Sequence, residues 1–306
     1  MASSPDIHVG TRTVPIKVLR CVWETGWSGA MPERPWPDRA FTDIFQSANG
    51  WSVRDFWLRS SFGHTDLRFD IEPWAVLQGA SHETLKDDGA ATVAACRRQA
   101  ACDHVPLSSY PHVIAFVHEP PSDVGTFDGD LVLDQKVRDP VRQRREVGRL
   151  IGFGPAVGPD GRSGDPYCVM GGGDCRVAAA TLVRGAPTFR VSPRVVHAVL
   201  PGTFTLTALG AAIGTGPVAP VAAVVPPTGR GNDVEVIVEY RTATGDDHGV
   251  TPAVVVHSAG TGTGGGAVRL EGTLDPRPGT QTTCRGIRMT VLAATRTGVI
   301  LELSSR

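Results

Sequence analysis

The hydrophobic pattern of the chain changes near residue 190. Beyond this point, short runs rich in Val, Ile, Leu and Thr alternate with loops rich in Gly, Pro, Asp and Thr. These runs are FTLTAL, VEVIVEYR, AVVVHSA, AVRLEGTL, IRMTVLAA and GVILELSS. Runs of this length and composition, bounded by turn residues, are typical of strands in an all-β domain. We therefore expect residues 191–306 to form an antiparallel β-sandwich.

Strand and helix patterns are mixed before that point, which indicates an α/β or α+β domain over residues 1–190. Residues 12–22 and 112–119 are predicted to be buried strands, the second of them central, and residues 66–77 a further strand. Apolar residues at helical spacing predict a helix pair over 41–58 that ends near Gly63. An Ala-rich helix is expected to begin at Asp87 or Asp88 and to run to about Ala101. We expect an α+β fold for the whole chain.

The composition excludes some classes of partner. Lys and Arg number 30 against 31 Asp and Glu, for a net charge of -1. Nucleic acids and anionic membranes select clustered positive charge, so neither is expected as a partner. The longest uncharged run, between Arg194 and Arg230, is broken by prolines and is not expected to span a membrane. The first twenty residues lack the apolar stretch of a secretory signal, so a cytoplasmic protein is expected unless a leader has been removed.

Neither metals nor nucleotides are indicated by the remaining motifs. The six cysteines contain no CxxC pair and are expected to be structural thiols. A zinc site at Cys168, Asp174 and Cys175, or a calcium site in an acidic loop, is a weaker alternative. The loop carboxylates are those of Asp123, Asp128, Asp130 and Asp134, and they are expected to be solvated loop charges. GTGTGGG at 260–266 precedes a strand instead of a helix, which favours a hairpin loop over a phosphate-binding loop.

One helix and one later turn carry most of the chemical information. Asp139 and Pro140 predict a helix start, because Asp is a favoured N-cap and Pro a favoured first residue. The helix continues through RREVGRLIGFGP and is followed at 167–171 by YCVMG. Compared with the pattern H-E-x-x-H-x-x-G-x-x-H and its later Met-containing turn, the chain matches at Glu146, Gly152 and Met170.

With these residues and their neighbours, the chain resembles bacterial metzincin-like metalloproteases that carry a C-terminal β-sandwich. The neighbouring motifs are GWSVRDFWLRSSFGHTDL, the Ala-rich helix, VIAFVHE, GDPYCVMG, VEYRTATGDDHGV and AVVVH, in that order. The resemblance covers most of the chain. It implies a metzincin-like domain over residues 1–190, in which Met170 forms the packing floor of the Met-turn.

The resemblance fails at the zinc ligands. The three histidine positions hold Arg145, Arg149 and Pro155. A guanidinium stays protonated and has no lone pair to offer a cation, and proline has no side-chain donor atom. Two unit charges about 4 Å from a divalent ion would also oppose its binding by several kcal/mol. We therefore expect no catalytic zinc, no other cofactor and no zinc-peptidase activity.

The altered helix leaves two roles open for its charges. Arg145 and Arg149 lie one helical turn apart, so their guanidiniums are expected to bind an anion or to pair with internal carboxylates, Glu146 among them. Glu146 is a candidate general base, although a structural role on the helix surface is the simpler interpretation. Tyr167 is a candidate hydrogen-bond donor, although a core tyrosine is the simpler interpretation.

The leading hypothesis is a zinc-free metzincin-like pseudoprotease that binds a peptide or a small anionic molecule in the former active-site groove. The alternative is a metal-independent enzyme of small-molecule biosynthesis, of cyclase, lyase or isomerase type, that reuses the same cleft. In that alternative Glu146 or Tyr167 supplies acid–base chemistry and the arginines hold a substrate oxyanion.

Overall fold

The computed structural model describes most of the chain, and the fold is α+β. The described residues are 11–24, 36–47, 51–85, 87–118, 125–134, 139–162, 164–211, 220–227, 234–260 and 267–306. They divide into two compact units: one comprises residues 11–59 and 65–151, and the other includes 60–64 and 152–306. Of the loop expected at 260–266, residues 261–266 lie outside the described residues.

The N-terminal unit is a mainly parallel sheet with helices. Its elements are β1 (Arg12–Trp23), α1 (Asp38–Phe45), α2 (Val53–Ser60), β2 (Thr65–Leu77), α3 (His82–Leu85), α4 (Gly89–Cys102), β3 (His112–Val117), β4 (Thr126–Phe127), β5 (Asp130–Asp134) and α5 (Pro140–Leu150). The strand order is β2-β1-β3-β5-β4, and β4 alone of these strands runs antiparallel to its neighbour. The central position of β3 and the helix pair α1 and α2 confirm the sequence predictions.

Both faces of this sheet are covered, which explains why β3 is almost continuously apolar and why β1 is buried from Ile16 to Trp23. On one face α4 contributes Val93, Ala95 and Cys96 to a core with strand residues such as Leu19 and Val113. Asp88, one of the two expected caps, accepts a hydrogen bond from the Ala91 backbone N–H at 2.8 Å and so begins α4. The other face carries a cluster of aromatic rings, contributed by Phe41, Phe45, Phe69, Trp74 and Phe116.

The C-terminal unit contains two sheets and short helices. Its elements are β6 (Ala156–Val157), α6 (Ala179–Gly185), α7 (Pro187–Arg190), β7 (Val195–His197), β8 (Gly202–Thr207), β9 (Ala222–Val225), β10 (Val234–Arg241), β11 (Ala253–Gly260), β12 (Val268–Leu274), β13 (Gln281–Cys284), β14 (Ile287–Ala294) and β15 (Gly298–Ser305). One sheet has the order β6-β12-β11-β10-β9-β7 and the other β13-β14-β15-β8. Each predicted strand run is present.

A single core lies between these two sheets, as expected for a sandwich. Val236, Val238 and Val254 from the larger sheet share it with Leu301 and Leu303 from β15 in the smaller one. The sandwich differs from the expectation of a purely antiparallel one, because β6 pairs with β12, and β7 with β9, in parallel.

The units also divide the chain at a different place from the expected boundary at residue 190. Residues 152–190 cluster with the C-terminal strands. The physical reasons are two sets of contacts: β6 hydrogen-bonds to β12, and α6 packs on β10 and β11. The segment that carries Tyr167 and Met170 is therefore part of the sandwich unit.

Candidate functional site

The helix α5 begins and ends as its sequence predicts. The Asp139 carboxylate accepts a hydrogen bond from the Val141 backbone N–H at 2.9 Å, and Pro140 occupies the first helical position. Gly152 has a φ of +96°, a conformation that costs glycine little, and it lies just beyond the helix. Val147 and Leu150 are buried, and α5 packs on β4 and β5. The buried face fixes which side chains point outward.

Three charged side chains of α5 form one ion cluster. The Arg149 Nη1 donates to both carboxylate oxygens of Glu146, at 3.0 Å and 3.1 Å. The Arg145 Nε donates to Glu146 Oε1 at 3.3 Å. The Glu146 side chain is 6% exposed, whereas those of Arg145 and Arg149 are 25% and 38% exposed. One buried carboxylate is thus shared by two partly exposed guanidiniums, and the cluster carries a formal charge of +1.

The donor set of α5 does not fit a zinc ion. The Arg145 and Arg149 guanidiniums bring only N–H donors to this face, and both Glu146 oxygens already accept hydrogen bonds from them. Across the described parts of the chain, no group of three or more His, Cys, Asp or Glu side chains is placed to hold a metal ion. The alternative zinc and calcium sites therefore receive no support from the described residues.

The acidic residues near β4 and β5 have other surroundings. Asp130 is buried and accepts a two-pronged hydrogen bond from the Arg97 guanidinium, at 2.6 Å and 2.8 Å. It also accepts from the Val113 backbone N–H at 3.0 Å, so it ties α4 to the sheet. The expected role of Asp130 as a solvated loop charge is wrong. Asp123 lies outside the described residues.

Pro155 and Met170, the other positions of the metal-site pattern, belong to the sandwich unit. The Pro155 carbonyl accepts a hydrogen bond from the Val268 backbone N–H at 3.0 Å, which begins the β6–β12 pairing. Met170 is fully buried in a 3₁₀ turn over Val169–Gly171. At Gly171 a Cβ atom would lie 2.6 Å from backbone atoms of Asp165, so the close approach of the two segments requires glycine.

Tyr167 lies near the start of the same turn and is half-buried. Its side chain packs on a small apolar cluster of Ala253, Val255 and Leu270. Burial raises the pKa of the Tyr167 phenol. These surroundings are those of a core tyrosine, which was the simpler interpretation. The structure therefore brings Arg145, Glu146 and Arg149 together and places Tyr167 and Met170 in one turn of the other unit.

Sequence reasoning missed a buried polar network in the sandwich unit. The Arg241 guanidinium donates to the Tyr167 carbonyl at 2.8 Å, to Glu239 at 3.3 Å and to Asp247 at 2.7 Å. His257 Nε2 lies 2.9 Å from Asp165 Oδ2. The side chains of this network are all 0% exposed: Asp165, Glu239, Arg241, Asp247 and His257. The network holds the turn against β10 and β11.

The charges of this network influence one another strongly. Burial raises the pKa of Glu239. Burial alone would lower the pKa of Arg241, but the carboxylates of Asp247 and Glu239 outweigh it and raise that pKa. Burial also raises the pKa of the Cys168 thiol, to about 11, so this thiol stays protonated near neutral pH. The network is closed to solvent, which is typical of a structural core.

The signal for this network was present in the strand sequences. Glu239 and Arg241 lie in the largely apolar run VEVIVEYR, which also contains Glu235, and His257 interrupts AVVVHSA. Charged residues inside a strand that is buried on both faces need partners, because an unpaired buried charge is costly. Asp247 lies six positions after Arg241, beyond the end of β10, and Asp165 lies 92 positions from His257, so strand periodicity identifies neither partner.

In the described part of the chain, no helix has the length and apolar character that crossing a membrane requires. Comparison with known proteins adds no assignment: no protein-family model matches the chain, and no curated protein matches it with significance.

Proposed function

We propose that the protein is a zinc-free, metzincin-like pseudoprotease that binds a carboxylate-bearing ligand at the exposed guanidiniums of α5. The ligand is a small anionic molecule or the acidic group of a peptide. The observation that carries the proposal is the Arg145–Glu146–Arg149 cluster, in which two guanidiniums share one buried carboxylate.

Charge and geometry both support an anion as the ligand. A guanidinium has five N–H donors in a fixed plane and suits carboxylates and phosphates. Glu146 accepts hydrogen bonds from one nitrogen of each guanidinium, Nη1 of Arg149 and Nε of Arg145. The partial exposure of both arginines leaves surplus positive charge facing solvent. Glu146 fixes the spacing of the two guanidiniums before a ligand arrives, which reduces the entropy lost on binding.

The metal-independent enzyme is a less favoured alternative. A general base needs a carboxylate that is free to accept a proton from a substrate. Both Glu146 oxygens instead accept hydrogen bonds from guanidiniums, and Tyr167 packs among apolar side chains. No observation on these two residues favours catalysis over binding.

The test is calorimetric titration at constant ionic strength with succinate, and with an acidic peptide in a second arm. We expect saturable binding by the wild type and by Arg142→Ala, a matched control that removes an exposed arginine of the same helix. Arg149→Ala and Arg145→Ala should each weaken binding roughly tenfold or more, as expected for loss of a charge-assisted hydrogen bond.

Two results would overturn the proposal. Equal weakening by Arg142→Ala would mean that only the overall charge of the helix matters. Stoichiometric uptake of zinc, accompanied by peptide hydrolysis that persists in Arg149→Ala, would mean that the chain is an active peptidase with ligands elsewhere.

A further inference from the structure

Two buried thiols of the N-terminal unit belong to the same core. Cys21 lies on β1 and Cys96 on α4, and both belong to the core that α4 forms with the sheet. They are 2% and 1% exposed, and both residues line the same cavity. All six cysteines of the chain, this pair included, are free thiols. Neither thiol has a role in the proposed function at α5.

A cavity of about 270 Å³ lies beside the pair. Both thiols line it, together with apolar groups such as those of Ala100 and Val105. The charged residues Arg20, Glu72 and Asp103 also line the cavity. Because both thiols line the cavity, their side chains have room to place an ion between the two sulfur atoms.

The ligand chemistry follows from the number and type of donors. Sulfur donors select soft metal ions over hard ones. Structural zinc needs about four ligands, and among the described residues no third His, Cys, Asp or Glu joins the pair in a metal-binding group. The pair therefore suits a soft cation that is satisfied by two ligands.

We propose that Cys21 and Cys96 form a binding site for a soft divalent metal cation, held between the two sulfur atoms. The ion displaces both thiol protons, which pass to water, and two S–metal bonds replace two S–H bonds. The divalent charge and two thiolates sum to zero, so the complex is neutral. Neutrality matters because an uncompensated charge in an apolar core is costly.

The exchange of thiol protons for a metal ion makes binding depend on pH. The hydrogen bond from Cys96, together with burial, raises the pKa of Cys21. Metal binding displaces the protons of its thiol ligands, so binding should release protons and strengthen as the pH rises. A monovalent soft ion would leave a net negative charge in the core and should bind more weakly.

The experiment uses Hg²⁺ as the probe and an excess of a monothiol competitor, which removes ions held by single cysteines. We expect the wild type and Cys102→Ser, an exposed cysteine at the end of the same helix, to retain about one equivalent. Cys21→Ser and Cys96→Ser should each bind about 10²–10⁴-fold more weakly, since each loses the advantage of a second tethered ligand. Circular dichroism checks that the variants are folded.

X-ray absorption of the wild-type complex keeps the proposal testable if the serine variants unfold, and it should find the ion between two sulfur neighbours. The proposal is overturned if the wild type retains no Hg²⁺ against the competitor. It is also overturned if Cys175→Ser abolishes retention while Cys21→Ser preserves it, because the ion would then occupy the sandwich unit. A complex in which Zn²⁺ competes equally with Hg²⁺ would contradict the two-ligand site.

Discussion

Replacing Glu146 by glutamine removes the one carboxylate that Arg145 and Arg149 share while nearly preserving its volume. Two guanidiniums one helical turn apart then face each other with no negative charge between them. Exposed ion pairs contribute about 0.2–1 kcal/mol, and breaking a buried pair costs about 3–5 kcal/mol. Glu146 is 6% exposed and its partners 25% and 38% exposed, so this cluster lies between those cases. We expect Glu146→Gln to lower the free energy of unfolding by about 1–3 kcal/mol.

The same variant should respond to anions more strongly than the wild type. An added carboxylate can take the place of the missing side chain between the guanidiniums, so succinate should recover part of the lost stability. The assay is urea unfolding followed by circular dichroism, with and without succinate at constant ionic strength. Glu302→Gln, at an exposed acidic position of β15, is the control and should change neither quantity. The reasoning is refuted if Glu146→Gln is as stable as the wild type and gains no more from succinate than the control does.

Three further predictions concern the sandwich unit. Asp247→Asn removes a carboxylate from a fully buried guanidinium and should cost about 3–5 kcal/mol in urea unfolding; an unchanged midpoint would contradict the buried network. Gly173→Ala places a Cβ atom 2.4 Å from the Pro166 carbonyl oxygen and should cost about 1–3 kcal/mol. Gly249→Ala, which meets nothing within 4 Å, should change stability by less than about 0.5 kcal/mol in the same assay. Burial and a nearby guanidinium lower the pKa of His64 in the folded state, so the unfolded state binds more protons below about pH 6.5. The wild type should therefore lose stability from about pH 7 to about pH 5, and His64→Gln should lose less; equal losses in urea melts would exclude this contribution.

Local sequence signals predicted the individual elements well. Asp139 and Pro140 begin α5 as their side-chain chemistry requires, and Asp88 caps α4. The apolar run at β3 is buried at the centre of its sheet, as predicted from its composition. These features depend on residues a few positions apart, so periodicity and capping preferences are sufficient to find them.

Features set by distant segments were not predictable from periodicity. The expected division at residue 190 ignored the β6–β12 pairing, which joins residues about a hundred positions apart. The hydrogen bond between His257 and Asp165 spans 92 positions, and no local pattern selects that partner. At α5 the spacing of Arg145 and Arg149 was evident from the sequence. Whether they would share Glu146 or remain unpaired depended on side-chain geometry, which the structure supplies.

The proposed function depends on the binding of an anionic ligand by the Arg145 and Arg149 guanidiniums of α5. Its most direct test is to observe the side-chain Nε–H signals of Arg145, Arg149 and Arg142 by NMR while the wild type is titrated with succinate at constant ionic strength. We expect saturable shifts for Arg145 and Arg149 with one common dissociation constant, and an unmoved Arg142 signal. Small, non-saturating shifts of equal size for all three arginines would contradict it.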